Sequence, residues 1–340
     1  MNQRRRLFIR VDATLSTGLG HFMRCFAIAQ RWHADYGPVT FLGTFNVALH
    51  DELRREGFDA IRLPSMYPDS GDVETTIAVI DAGGPVILDG YHFDYAYQRR
   101  LADHARLLVI DDLGHLPRYA GAMLLNATVN AADIVYAEAP TRRLLGLRYA
   151  MLRRGIVAAR NGKRRAAGAL AHVLVSLGGA DAANDTLRVL RAMSLQAGAV
   201  RVVVGPLSPH VAAMREFAAE HANVAIVDAP ASMPDEMLAA DFAIGSAGTI
   251  CLELACLGIP CILFAIADNQ LAIGPAMEQA GAAIFGGDIR CLDEHELAAV
   301  IGAALTDVDR HETMRTAGPS LVDGLGPGRI CRELSGVLND

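Results

Sequence analysis

Leu7-Phe8-Ile9-Arg10-Val11-Asp12-Ala13-Thr14-Leu15-Ser16-Thr17-Gly18-Leu19-Gly20-His21-Phe22-Met23-Arg24 passes from an apolar, strand-length run through a glycine-bearing loop into a helical pattern that continues over residues 25–32. Such a run, apolar at nearly every position, is the mark of a strand buried on both faces, and a helix following it indicates a parallel sheet. The same alternation recurs outward from this unit. Further strands are expected at 39–42, 61–63, 86–89, 107–111 and 123–126, and, after a polar basic stretch at 161–165, at 173–177, 202–205, 224–228, 242–246, 261–264 and 283–285. Helical patterns fill the gaps. Two doubly wound, Rossmann-like α/β domains follow, residues 1–160 and 166–340, a division that suits a chain of 340 residues.

Composition narrows the function. The chain is 52% hydrophobic and 20% charged with a formal net charge of −7, so it carries enough apolar residues for two cores and no basic excess for nucleic acid. The lone basic run, Arg4-Arg5-Arg6, reads as solvated chain end. No signal-peptide pattern or segment of membrane-spanning length is present, and the six cysteines are scattered without metal-ligand spacing, which suits reduced thiols and a cytoplasmic setting. No metal and no cofactor are expected.

In open α/β sheets ligands bind beyond the carboxyl ends of the strands. Three clusters fall there. His21 lies in the first helical turn after Gly18-Leu19-Gly20, where the positive end of the helix dipole disfavours an imidazolium; this suits a general base, with Asp12 close enough in sequence to order it or to touch the substrate. The absence of an acidic residue about 20 positions on, closing a second strand, argues against a dinucleotide. Ser176-Leu177-Gly178-Gly179-Ala180-Asp181 leaves a strand and enters a helix, offering backbone N–H groups to a diphosphate, and lacks the lysine of a P-loop. Gly245-Ser246-Ala247-Gly248-Thr249 repeats the arrangement and places Glu253 on an almost wholly apolar helix, where ribose hydroxyls would be suitable partners. Each cluster also has a plain structural reading: a capped turn, a packing glycine, an internal ion pair.

Taken in order, Arg10-x-Asp12, Gly18-x-Gly20-His21-x-x-Arg24, Asp89-x-Tyr91, Asp111-Asp112, Leu125-Asn126, Gly146-x-x-Tyr149-Ala150-x-x-Arg153, Ser176-x-Gly178-Gly179-x-Asp181 and the Glu253 helix followed by Asn269-Gln270 resemble the PseG-type UDP-sugar hydrolases of pseudaminic acid biosynthesis, over about residues 7–285. That resemblance implies a GT-B fold of the MurG kind with the active site in the cleft between domains, and hydrolysis of a UDP-linked diacetamido-trideoxy-altrose or a relative. It implies catalytic His21, Tyr91 and Asp12. Gly20, Gly178, Gly179, Met233, Ser246, Ala247, Gly248, Thr249 and Glu253 would bind the nucleotide, and Arg24, Asn269 and Gln270 the sugar. A GT-B glycosyltransferase using a UDP-sugar donor for surface polysaccharide, a reversible epimerase and a non-catalytic binding module share the nucleotide features. The partner in each case is a small molecule, with no membrane insertion.

Overall fold

The computed structural model describes residues 5–69, 71–162, 170–193, 198–228 and 230–337. Packing divides the chain into one unit of Met1–Arg154 with Leu325–Asp340, and a second of Gly155–Gly324.

The first unit is a seven-stranded parallel sheet: β1 (Leu7–Val11), β2 (Val39–Gly43), β3 (Asp59–Arg62), β4 (Pro85–Asp89), β5 (Arg106–Ile110), β6 (Met123–Asn126) and β7 (Arg142–Leu145), in the order β3-β2-β1-β4-β5-β6-β7. Alternation along each strand sends side chains to two cores. Leu7, Ile9, Val11 and Ile87 face helix Gly20–Asp35 with Phe22, Phe26 and Trp32, while Phe8, Val86 and Leu88 face Phe93, Tyr97 and Leu101 on the other side. Burying each of the large side chains stabilises the fold by about 1.5–3 kcal/mol. Arg10 is the exception in β1: it is fully buried, and its charge is held by Asp12 and Asp72 while its guanidinium lies 4.9 Å from the Phe93 ring centre.

The second unit is a six-stranded parallel sheet: β8 (His172–Ser176), β9 (Ala199–Val204), β10 (Val224–Asp228), β11 (Phe242–Ser246), β12 (Cys261–Ala265) and β13 (Ile284–Asp288), in the order β10-β9-β8-β11-β12-β13. This is the 3-2-1-4-5-6 order of dinucleotide-binding folds. On one face of the sheet the core is built around Val173, Val175, Val202, Phe242, Ile244, Ile262 and Phe264, and Leu174, Ala243, Cys261 and Leu263, of opposite parity, are buried on the other.

Three expectations are corrected here. The division falls after Arg154, short of the basic stretch at 161–165, of which residues 163–165 lie outside the described residues, as does Arg4. The closing helix, Gly326–Val337, belongs to the first unit, because Ile330, Cys331 and Leu334 complete the core beneath helix Gly20–Asp35. Gly326 permits this approach: a Cβ there would collide with the backbone of Tyr149 and Ala150. Finally, β7 is an added strand; its sequence, Arg-Arg-Leu-Leu, is half-exposed at the sheet edge and lacks an apolar signature.

Candidate functional site

In the first unit the chain runs outward from β1 and returns to β4 on the other side, so the ends of these two strands form the switch point where ligands bind in such sheets. Val11 pairs with Asp89, which sets Asp12 and Asp89 side by side as the chain leaves the sheet. Strand parity then separates their tasks. Asp89 has the parity of Ile87 and faces helix Gly20–Asp35, whereas Asp12 has the parity of Arg10 and faces away from it.

Gly20 opens the helix after Leu19, which supplies no side-chain cap, and His21 is the second helical residue. Its Nδ1 lies 2.7 Å from Asp89 Oδ1, and Arg24, three residues on, donates to both carboxylate oxygens, Nη2 to Oδ1 and Nε to Oδ2, each at 2.6 Å. The Cys25 thiol adds a donor at 3.5 Å. Burial pushes the Asp89 carboxyl up, but the guanidinium of Arg24 and the ring of His21 outweigh it and hold it well below the usual carboxylate range. An ionised carboxylate accepts only, so Nδ1 carries a proton toward Asp89, and in the neutral ring Nε2 is then the nitrogen that bears the lone pair. A base oriented by a buried carboxylate is the logic of a catalytic triad.

Arg24 is therefore engaged on both sides. Its Nη1 donates at 2.8 Å to Asp112, whose other oxygen accepts from Tyr91 Oη at 2.6 Å. Arg24, the residue expected at the sugar, is thereby clamped between two carboxylates. Burial, then the adjacent Asp112, raises the Tyr91 phenol far above its ordinary value, so it stays protonated. The Tyr91 ring stands edge-on to His21, centres 4.7 Å apart.

Asp12 does not order His21. It accepts from Thr44 N at 2.6 Å, pairs with Arg10 Nη1 at 2.8 Å and meets His92 Nε2 at 2.9 Å. Asp89 is the orienting group that sequence reasoning missed; the signal lay in counting strand parity forward from Ile87.

In the second unit the equivalent strand ends carry small neutral residues. Gly178, after β8, has φ +115°, a conformation that L side chains rarely adopt, and a Cβ there would have only Ile266 and Ser246 Oγ nearby, at 3.9 and 4.0 Å. Gly179 receives Leu207 N on its carbonyl at 3.0 Å, and Gly205 is packed so close to it that a side chain would strike its backbone. After β11, Gly248 is the cap residue of helix Thr249–Leu257, which has no side-chain cap. Gln270 closes against it: its Oε1 accepts from Ile266 N at 3.1 Å, and its Nε2 would stand 3.2 Å from a Gly248 Cβ. Ser246, Gly178, Gly248 and Gln270 thus gather at one edge of the sheet. Ala247 is buried and gives its N–H to Phe264 O at 2.8 Å, which withdraws its backbone donor from a ligand. Glu253 is buried at 5% exposure. Met233 starts helix Met233–Leu238, behind Ser232, and Asn269 is half-buried in the turn Asp268–Gln270. Glycine turns and helix starts at a switch point are suited to phosphate oxygens.

Among the described residues no cluster of three or more His, Cys, Asp or Glu side chains could hold a metal ion, and no helix is long and apolar enough to cross a membrane.

No family model matches the chain. It is 26% identical over 171 residues to the spore coat polysaccharide biosynthesis protein SpsG of Bacillus subtilis (strain 168), a match covering 49% of this chain and 50% of that relative. The match thus spans about half the length of the curated relative. Among solved structures, MurG of Acinetobacter baumannii superposes with a TM-score of 0.62 at 15% identity, covering 98% of this chain and 99% of MurG. The calicheamicin glycosyltransferase CalG4 gives 0.62 at 14%, over 99% of each chain. Anabaena Alr3699/HepE, solved in complex with UDP and glucose, gives 0.61 at 11%, over 99% and 100%. At such identities the likeness concerns the fold: the chain comprises two parallel-sheet, Rossmann-like domains of the GT-B type.

Proposed function

We propose that the protein is a UDP-sugar-dependent glycosyl-transferring enzyme of surface polysaccharide or glycoconjugate synthesis, with His21 as its base. The observation that carries this is the His21–Asp89 pair at 2.7 Å, clamped by Arg24. It leaves Nε2 of a histidine, itself in the first turn of a helix, to accept a proton. In the proposed reaction the nucleophile's O–H proton passes to Nε2 as its oxygen bonds to the anomeric carbon. The bond from that carbon to the diphosphate oxygen breaks, and the electron pair leaves with UDP. Backbone donors around Gly178, Gly179, Gly248 and Thr249 would receive the developing charge on the diphosphate, and Glu253 would take the ribose hydroxyls. The similarity to a relative whose name concerns spore coat polysaccharide, and to glycosyltransferase folds, supports an acceptor hydroxyl as nucleophile.

A second reading has water as the nucleophile and a hydrolase of the PseG type as the result. The motif series running from Gly18 to Arg24 and through Asp89-x-Tyr91 supports it, and the base and leaving-group sites would be shared. The two readings part on the acceptor. UDP release from a panel of UDP-sugars, including the diacetamido-trideoxy-altrose compound, is measured with and without candidate acceptor glycans and in ¹⁸O water. Acceptor-dependent release with a new glycoside supports transfer, whereas acceptor-independent release with ¹⁸O at the anomeric carbon supports hydrolysis. His21→Ala is expected to lower turnover by roughly 10²- to 10⁴-fold with UDP affinity kept. Undiminished turnover in that variant, or failure of the wild type to bind UDP, sinks the proposal.

A further inference from the structure

Besides His21 and His92, a further histidine adjoins Tyr91, outside every role assigned so far. His115 follows the turn after β5, where Asp111 Oδ1 accepts from Leu113 N at 2.8 Å and from Gly114 N at 2.7 Å. Its Nδ1 lies 2.8 Å from Asp111 Oδ2, and its Nε2 lies 3.0 Å from the carbonyl oxygen of Tyr91. Asp111 also accepts from Tyr119 Oη at 2.9 Å. Both ring nitrogens of His115 therefore face groups that accept: a carboxylate on one side, a peptide carbonyl on the other. A neutral imidazole has one N–H and can satisfy only one of them; the imidazolium satisfies both.

The carbonyl it meets matters. Tyr91 follows Gly90, whose φ of +153° is open to few residues besides glycine, so the chain turns sharply as it leaves β4. Tyr91 then supplies the ring edge against His21 and the hydroxyl on Asp112, and Asp112 in turn holds Arg24.

We propose that His115 is a positioning residue: as an imidazolium bridging Asp111 and the Tyr91 carbonyl, it fixes the Tyr91 peptide and, through the Tyr91 ring and Asp112, the orientation of the His21–Arg24 pair. The inference rests on the proposed role of His21. The charged and titratable groups facing His115 are Asp111 and Asp112 from its own turn and Tyr91 from the loop after β4, with Tyr119 acting through Asp111. The hydrogen bond to Asp111 raises the imidazole above its ordinary value, burial opposes this, and the charge of Asp111 and the Tyr91 carbonyl add to the rise. With the side chain 28% exposed, protons exchange without unfolding. The bridge is therefore complete below the ordinary histidine value and is lost as pH rises through the raised one. Deprotonation turns a lone pair toward the Tyr91 carbonyl and removes the donor from that contact.

Two measurements test this. In wild-type protein labelled with ¹⁵N-histidine, the His115 resonances, identified by their loss in His115→Gln, should show both nitrogens protonated at about pH 6 and a midpoint above about 6.5. A ring with one bare nitrogen at that pH overturns the proposal. In turnover, His115→Gln should lower kcat roughly ten-fold, the scale of one charge-assisted hydrogen bond, and abolish the alkaline limb of the wild-type pH profile. Retention of that limb in the variant overturns it equally. If His115→Gln does not fold, His115→Asn serves the kinetic arm, and Asp111→Asn, which should lower one histidine midpoint, identifies the resonance. Normal turnover in His21→Ala would instead remove the functional reading, leaving the nitrogen protonation to stand or fall by itself.

Discussion

The two units share a strand order around the switch point yet furnish it in opposite ways. Where β1 and β4 end, the first unit mounts Asp12 and Asp89, each buried and each tied to a histidine and an arginine. Where β8 and β11 end, the second unit mounts Ser176 and Ser246, both buried and neutral, and follows them with glycines. The same scaffold thus carries a fixed array of charges in one case and a set of small residues beside helix starts in the other. Fold alone does not choose between these uses; the residues one or two places beyond the strand ends do. In the proposed division of labour the first site moves a proton and the second holds an anion, and substitutions should therefore separate kcat from affinity according to the unit in which they fall.

Asp89→Asn should have the largest effect. Asparagine keeps the shape but not the charge, so Arg24 loses its bidentate partner and His21 loses the acceptor that sets its tautomer. Where the orienting carboxylate of a Ser-His-Asp triad is replaced in this way, turnover falls on the order of 10⁴-fold, and a loss of about 10³ to 10⁴ in kcat with UDP affinity unchanged is expected. Stability responds as well. Because the folded value of Asp89 lies below the unfolded one, its contribution is fully present above about pH 5 and is lost as pH falls. The wild-type Tm should consequently drop more steeply on acidification than that of the variant. A kcat within ten-fold of wild type would break the comparison, since the charged array would then be structural only.

Gly178→Ala probes the other side of the comparison with a smaller expected effect. The space around a Cβ is open, so the cost arises from the backbone at φ +115° and from a methyl group where ligand oxygens would approach. Strain of about 1–3 kcal/mol at such a position is typical. UDP should bind roughly ten-fold more weakly, a difference of about 1.4 kcal/mol, with kcat at saturating substrate near wild type. Calorimetric UDP titration and saturation kinetics on one preparation decide it. A fall in kcat at unchanged affinity would mean that this loop acts on the reacting centre.

The comparison also explains what was legible in the sequence. Strands such as β4 and β12 announce themselves because both faces are buried and nearly every residue is apolar. β7 and the return of helix Gly326–Val337 to the first unit do not, since an edge strand needs no apolar run and chain order is silent about which core a terminal helix completes. In the second unit, glycines and helix starts are local features, visible within a few residues. The first site is built from long-range pairs, with His21 and Asp89 separated by 68 positions. His21 stood out by its glycine loop; its partner was sought in Asp12, which is near in sequence but carries the wrong strand parity. His115 had no motif at all, and its role depends on a carbonyl 24 positions away.

Tyr91→Phe should have the smallest effect, and it sharpens the comparison from within the charged site. The variant removes the hydroxyl donor to Asp112, 2.6 Å away, but leaves the ring against His21 and leaves Arg24 on the other Asp112 oxygen. A hydrogen bond to a charged group contributes about 1.5–3 kcal/mol, and less where the acceptor keeps another donor. If Tyr91 acts by shape, the loss should appear mainly as a lower Tm, with kcat reduced less than about ten-fold and the pH profile unaltered. The raised phenol argues the same way, because a group held protonated by burial and by Asp112 is a poor base. A loss of about 10³-fold in kcat at wild-type Tm would instead place the hydroxyl among the reacting groups. Orientation would then no longer be the whole contribution of Tyr91, and the array would hold two proton-handling side chains rather than one.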